Sequence, residues 1–375
     1  MKIVCNSLDL NNAVSKVQGV VESTTAIPAL QGILFTAQGT QLSLTGYNLE
    51  TGITTNVKSH IEQEGSVILD ARRINDILRS LPASTVSIIT DEKNLCTVKS
   101  GDAVFSIIGM PAGEYPDLPG ITDGYTFSFS RVLLKSMIKQ TRYAVAKTDI
   151  KPVHKGILFE ISGGEITLTA VDGYRIAVRI ERADASVSDQ HFIVPEKALS
   201  ELVKLYGDDP GTVQISVSDK YIIFEVDGFF VISRLLEGEF IDYRSVVPKV
   251  ITTKLHCGVK KLTECMERMS LLITDRLRSP VRMNIKDGEI SCTCATTLGN
   301  VSDRLETPIE GEPLEIGVSS TYMLEALRAA DCEEVNIEFS GALSPIMITP
   351  TTGREFIYLI LPVRLPPLPK DKDGE

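Results

Sequence analysis

Gly32-Ile33-Leu34-Phe35 returns as Gly156-Ile157-Leu158-Phe159, 124 positions along, and a further 124 on stands Pro280-Val281-Arg282-Met283 with the same apolar skeleton. The neighbours keep register: Gln41-Leu42-Ser43-Leu44-Thr45 matches Glu165-Ile166-Thr167-Leu168-Thr169 and then Glu289-Ile290-Ser291-Cys292-Thr293. Each of these alternates polar with apolar residues, as a half-buried strand must. Before each lies Gly39-Thr40, Gly163-Gly164 or Asp287-Gly288, the turn chemistry of a hairpin. The period exceeds the roughly 20–50 residues of a solenoid unit, so it marks a domain present three times.

The rest of each unit agrees. Val14, Val17 and Val21 space like Ile138, Thr141 and Val145, and like Leu262, Cys265 and Met269, which predicts a helix ahead of each hairpin. A second helix is predicted at about 70–81, 195–206 and 319–330, each after a short apolar strand (Val67–Leu69, Phe192–Val194, Leu314–Ile316). Gly113-Glu114-Tyr115-Pro116-Asp117 corresponds to Gly238-Glu239-Phe240-Ile241-Asp242, and both lead to linkers at Pro119-Gly120 and Pro248. The expected class is therefore α+β, with two helices packed on antiparallel sheet in each of three tandem copies. Expected domains are 1–121, 122–248 and 249–365. A proline-rich, charged segment follows at 366–375, where disorder is expected.

With 375 residues the chain has length enough for three cores. No stretch approaches the ~18 apolar residues of a membrane helix, and no long apolar run follows Met1, so neither membrane span nor signal peptide is expected. Seven scattered cysteines fit a reducing cytoplasm better than a disulfide framework. The net charge of -11 argues against nucleic acid only if it is evenly spread. It is not. Residues 130–147 carry +5 (Arg131, Lys135, Lys139, Arg142, Lys147), the predicted helices together carry +6, and the rest of the chain carries -17.

The steps between those five cations place most of them on one helical face. A solvated surface stripe would look the same, and so would a face that meets phosphates. Lys260, Lys261 and Arg268 are weaker candidates, because Glu264 and Glu267 lie among them. Asp172-Gly173-Tyr174-Arg175 could pass for a catalytic loop. Its equivalents, Asn48–Thr51 and Thr296–Gly299, share no reactive group with it, and a tight turn held by the Asp172 side chain accounts for it as well. Cys292 and Cys294 share a strand face, but a metal needs about four ligands and no second pair or nearby histidine accompanies them. No phosphate-cradling loop is present, so no cofactor is expected.

A triplicated domain of this size resembles the bacterial DNA polymerase III beta subunit, the sliding-clamp family of processivity factors, over residues 1 to about 365. Leu42–Gly46, Val171–Arg175, Glu237–Arg244 and Leu361-Pro362-Val363-Arg364-Leu365 carry the resemblance through their order and spacing. It implies a non-enzymatic, head-to-tail dimeric ring around duplex DNA, bound without sequence preference. It also implies a groove for client peptides at His154, Gly173, Tyr174, Arg175, Ile176, Ile241, Ser245, Val246, Tyr322, Leu343, Pro345, Ile360, Leu361, Pro362, Val363, Arg364 and Leu365. The implied clients are the replicative polymerase alpha subunit, the clamp loader delta subunit and repair or translesion polymerases. Phe105 and Ile107 match one half of the family's subunit contact, Leu272 and Ile273 the other; all four could equally be ordinary core. The chain departs from the pattern at Pro152-Val153-His154, where relatives often carry aromatic residues and a leucine, and at Val171, commonly polar. A scaffold unrelated to DNA is the main rival, and the charge of 130–147 argues against it. An enzyme would need reactive residues that the repeats do not share.

Overall fold

The structure is a computed structural model that describes residues 1–120, 124–148, 151–183, 189–274 and 279–365. The segment 366–375, for which disorder is expected, lies outside the described residues.

Among the described residues the order strand, helix, four strands, helix, three strands occurs three times, with one short extra strand, Ile309–Gly311, in the last copy. The helices are α1 (Ser7–Val17), α2 (Ala71–Arg79), α3 (Arg131–Thr141), α4 (Glu196–Leu202), α5 (Val259–Ser270) and α6 (Ser320–Ala329). Local chemistry sets their starts. Asn6 accepts from the backbone N–H groups of Leu8 and Asp9, Asp70 from Arg73 and Ser319 from Tyr322, capping α1, α2 and α6. Each such cap is worth about 1 kcal/mol. Leu10, Ala13, Val14 and Val17 put one face of α1 into the core, and Leu262, Cys265, Met266 and Met269 do so for α5. No described helix is long and apolar enough to cross a membrane.

Compactness divides the chain differently from the repeat. One unit comprises residues 1–135 and 194–236, the other 136–193 and 237–375. Hydrogen bonding gives the reason. In the first unit the 13-residue strand Thr51–Gln63 pairs through its first half with Phe229–Arg234, a strand of the central repeat, and through its second half with Lys2–Asn6 of its own repeat. The resulting sheet runs from the edge strand Ala103–Ile108 to Tyr125–Ser130 at the far side. In the second unit Arg175–Arg182 pairs with Phe356–Ile360, joining a central-repeat strand to the last repeat in a nine-stranded sheet. A separate four-stranded sheet there has Gly299–Glu306 at one edge.

The alternation read from the hairpins holds in Gln41–Thr45 and Glu289–Thr293, whereas Glu165–Val171 is buried on both faces beyond its first residue. Phe35, Leu42 and Leu44 fill the first core, and Phe159, Ile166 and Leu168 take the matching positions in the central repeat. Six cysteines are buried and Cys332 is exposed.

Candidate functional site

Strands Glu165–Val171 and Arg175–Arg182 are joined by a turn that Asp172 builds. Its Oδ1 accepts from the backbone N–H of Tyr174 at 2.9 Å and of Arg175 at 3.1 Å, while Gly173 takes φ +89°. The Arg175 side chain then turns inward. Nε donates to Asp172 Oδ2 at 2.9 Å, one terminal nitrogen to Glu325 on α6, and the other to the Tyr143 carbonyl at 2.6 Å. The guanidinium also lies over the rings of Tyr143 and Tyr322, 5.2 and 4.6 Å from their centroids. Burial alone would lower its pKa, but Glu325 and Asp172 outweigh burial and raise it. Burial drives the Tyr143 hydroxyl well above its ordinary range.

The Arg175 side chain is buried and each of its three nitrogens bonds within the chain, so it stiffens the turn. Ile176 is buried with Val171, Val178, Tyr243, Met347 and Leu359, and Ile360 is buried in its own strand. Phe240, Val246 and Val247 pack half-buried against that cluster, and His154 meets Phe240 edge-on at 5.6 Å. Burial, then Lys151, lowers the His154 pKa against the pull of Asp172.

Apolar groups remain exposed above this floor. Tyr174 is 58% exposed and stacks on Tyr322 at 6.2 Å; Ile241, Leu343, Leu361 and Val363 are also exposed. Two backbone bonds fix the terminal segment: Leu361 N–H donates to the Tyr174 carbonyl at 2.9 Å, and Val363 N–H to the Gly317 carbonyl at 2.8 Å. Gly317 is required here, since a Cβ would stand 2.2 Å from the Val363 carbonyl oxygen. Pro345, Pro362 and Leu365 are half-buried, whereas Arg364 is exposed. Ser245 is exposed too, and its hydroxyl donates to the Asp242 carbonyl at 2.7 Å. Exposed apolar side chains such as Tyr174 and Leu361, which the Leu361 N–H to Tyr174 carbonyl bond holds together, can hold an extended peptide by burying its apolar side chains.

The structure divides the basic stripe into paired and exposed cations. Arg131 is buried, its Nη1 donates to Asp227 at 2.8 Å and its Nε to the Asp209 carbonyl at 2.6 Å. Lys135 Nζ lies 2.8 Å from Asp208 and 3.2 Å from the Tyr206 carbonyl. Lys139 is exposed on α3. The helix stops at Thr141, which leaves Arg142 in a following turn and Lys147 beyond it, both exposed. On α5, Lys260 and Lys261 are exposed, and Arg268 Nε donates to Asp303 at 2.7 Å.

Phe105 and Ile107 are half-buried on the edge strand Ala103–Ile108, whose other face exposes Val104 and Ile108. Phe105 borders a cleft of about 640 Å³, which Gln18, Val21, Arg72, Arg73 and Ile77 also line. Leu272 and Ile273 follow α5, half-buried, beside the exposed Leu271.

Models of the N-terminal, central and C-terminal domains of the DNA polymerase III beta subunit match residues 1–119, 129–242 and 244–364. The chain belongs to this family of beta sliding clamps. It is 31% identical to the Beta sliding clamp of Bacillus subtilis, over 97% of this chain and all of the relative. The solved structure of a putative DNA polymerase III beta subunit from Eubacterium rectale superposes with a TM-score of 0.94 at 30% identity, covering 97% of this chain and 100% of that one. A Pseudomonas aeruginosa sliding clamp bound to griselimycin has a TM-score of 0.91 at 27% identity, with coverage of 97% and 100%. The fold is thus three tandem clamp domains, and a sliding clamp is a non-catalytic processivity factor for DNA polymerase. Among the described residues no cluster of side chains could hold a metal.

Sequence reasoning about this clamp missed the residues that hold the site: Asp172 as the arginine's partner, Glu325, Tyr143, Met347 and Gly317. Only Gly317 carried a signal, a glycine inside an apolar strand, which marks close backbone approach.

Proposed function

We propose that two copies of this clamp close head-to-tail around duplex DNA and tether the polymerase by linkage. The domains of each copy are taken as 1–121, 122–248 and 249–365. The observation that carries the proposal is two sheet edges with no further strand partner among the described residues, Ala103–Ile108 in one unit and Gly299–Glu306 in the other. Free backbone donors and acceptors along an edge invite a strand from another chain. Phe105 and Ile107 beside the first edge, and Leu272 and Ile273 near the second, supply the apolar contact. Two unlike edges on one chain give a heterologous interface, which closes when the rotation allows.

Encirclement makes polymerase rebinding an intramolecular event and so raises its local concentration without base contacts. Client peptides from the polymerase alpha subunit, the clamp loader delta subunit and repair polymerases dock on Tyr174, Ile241, Leu343, Leu361 and Val363, in a cytoplasmic setting. Lys139, Arg142, Lys147, Lys260 and Lys261 are exposed cations assigned to the DNA side.

Retention on DNA tests the proposal. A clamp loaded on a nicked circle should stay at salt that abolishes direct binding, because linkage has no counterion term. Linearising the circle should release it, and blocking the ends should restore retention. Equal loss from circular and linear DNA would refute encirclement.

A further inference from the structure

The loop Gly207–Gly211 does more than connect α4 to the next strand. Arg131 clamps it, the backbone N–H donating to the Gly211 carbonyl at 3.0 Å and Nε to the Asp209 carbonyl at 2.6 Å. Gly211 leaves room for this, since a Cβ there would stand 3.0 Å from the arginine Nε. Held in this way, the loop aims Asp208 at Lys135 and sets the Asp209 carboxylate 4.0 Å from Arg131, while Asp227 takes the other side of the arginine. Three carboxylates therefore face two cations.

The burial is one-sided. The Lys135 side chain is 13% exposed and that of Asp208 82%. An anion approaching this part of α3 meets carboxylates before it meets ammonium. Yet Arg131 and Lys135 stand eight and four residues before Lys139, at the spacing that would otherwise give α3 a continuous basic face.

We infer that the Asp208–Asp209 loop is an intramolecular guard, a pair of carboxylates that occupies the cations of α3 in place of DNA phosphates and so keeps direct binding to duplex DNA weak. The inference rests on the proposed DNA side of the clamp, with Lys139 in it. Its physical basis is exchange: a phosphate can take Lys135 only by displacing Asp208, so the ion pair releases little counterion and adds little to affinity. A wall with few available cations holds the duplex loosely, which suits movement along it.

The test is fluorescence anisotropy on a linear duplex at low salt, using full-length clamp with thermal melts as the check on folding. Asp208→Asn should tighten binding roughly three- to tenfold and steepen the salt dependence by about one released counterion. Lys135→Gln alone should change affinity less than about twofold, because that cation is already neutralised. The double variant Asp208→Asn with Lys135→Gln should lose the gain, which ties it to the freed lysine. Lys139→Glu should weaken binding and reports on the DNA side itself. If Asp208→Asn has no effect while Lys139→Glu weakens binding, the guard is wrong and the DNA side stands. If neither has an effect, the DNA side fails and the guard with it. A gain that persists in the double variant would also overturn the guard, because it would reflect net charge alone. Should Asp208→Asn not fold, Asp208→Ser removes the same carboxylate and gives the same readout, and no gain there counts against the guard.

Discussion

Arg175 and Lys135 are cations that the sequence assigns to two binding surfaces, and both turn inward onto carboxylates. Their partners differ. Asp172 and Glu325, which hold Arg175, are 14% and 31% exposed, whereas Asp208, which holds Lys135, is 82% exposed. A carboxylate out of water keeps its cation because neither partner has a substitute. A carboxylate in water can let go at little cost. The first arrangement is a rivet for the turn beneath the peptide surface; the second is a latch beside a helix.

Breaking the rivet should give the largest effect. Arg175→Ala leaves Asp172, Glu325 and the Tyr143 carbonyl without their donor, and should cost about 3–5 kcal/mol of stability in urea unfolding. Peptide affinity should fall with it. A loss below about 1 kcal/mol would place Arg175 with the latch. Tyr174→Ala sharpens the contrast, because the side chain is exposed and touches the site without supporting it. Stability should stay within about 0.5 kcal/mol, while titration calorimetry with a client peptide should show roughly tenfold weaker binding. Unchanged affinity would remove Tyr174 from the site.

The smallest effect belongs to Arg268, whose partner Asp303 is on a strand facing α5. Burial alone would raise the Asp303 pKa, but the hydrogen bond from Arg268 wins and holds it below the usual range. A depressed carboxyl adds stability that is present above its unfolded pKa and is lost as pH falls through the folded one. Arg268→Ala should therefore lower stability slightly at neutral pH, and the gap to the parent should close on acidification. A gap that widens in acid would show that the pair is not its source.

Much of this was legible in the sequence, for reasons that also set the limit. The hairpins at Gly39, Gly163 and Asp287, and helices such as α2 and α6, follow from period, capping residues and turn chemistry, all of them local. Arg131 and Asp227 are 96 residues apart, and Arg175 and Glu325 are 150 apart. Periodicity places Arg131, Lys135 and Lys139 on one face of α3. It cannot say which of them the loop at Gly207–Gly211 covers. Tyr174 and the terminal Leu361–Leu365 follow from resemblance. Of their supports, Gly317 shows in the sequence as a glycine inside an apolar strand, whereas Met347 becomes visible only once strands distant in sequence lie side by side.

The divided pairing of Thr51–Gln63 bears on how the molecule comes apart. One side of that strand is shared between the central repeat and Lys2–Asn6 and the other pairs with Gln41–Tyr47, so the first repeat cannot melt without baring the edge of its neighbour. Cooperativity should follow the ladder: on denaturation, hydrogen exchange in Thr51–Gln63 and Phe229–Arg234 should rise together. A gene fragment cut after the first repeat would carry a raw edge at Thr51–Thr55 and be prone to aggregate, although the sequence alone presents it as a self-contained module.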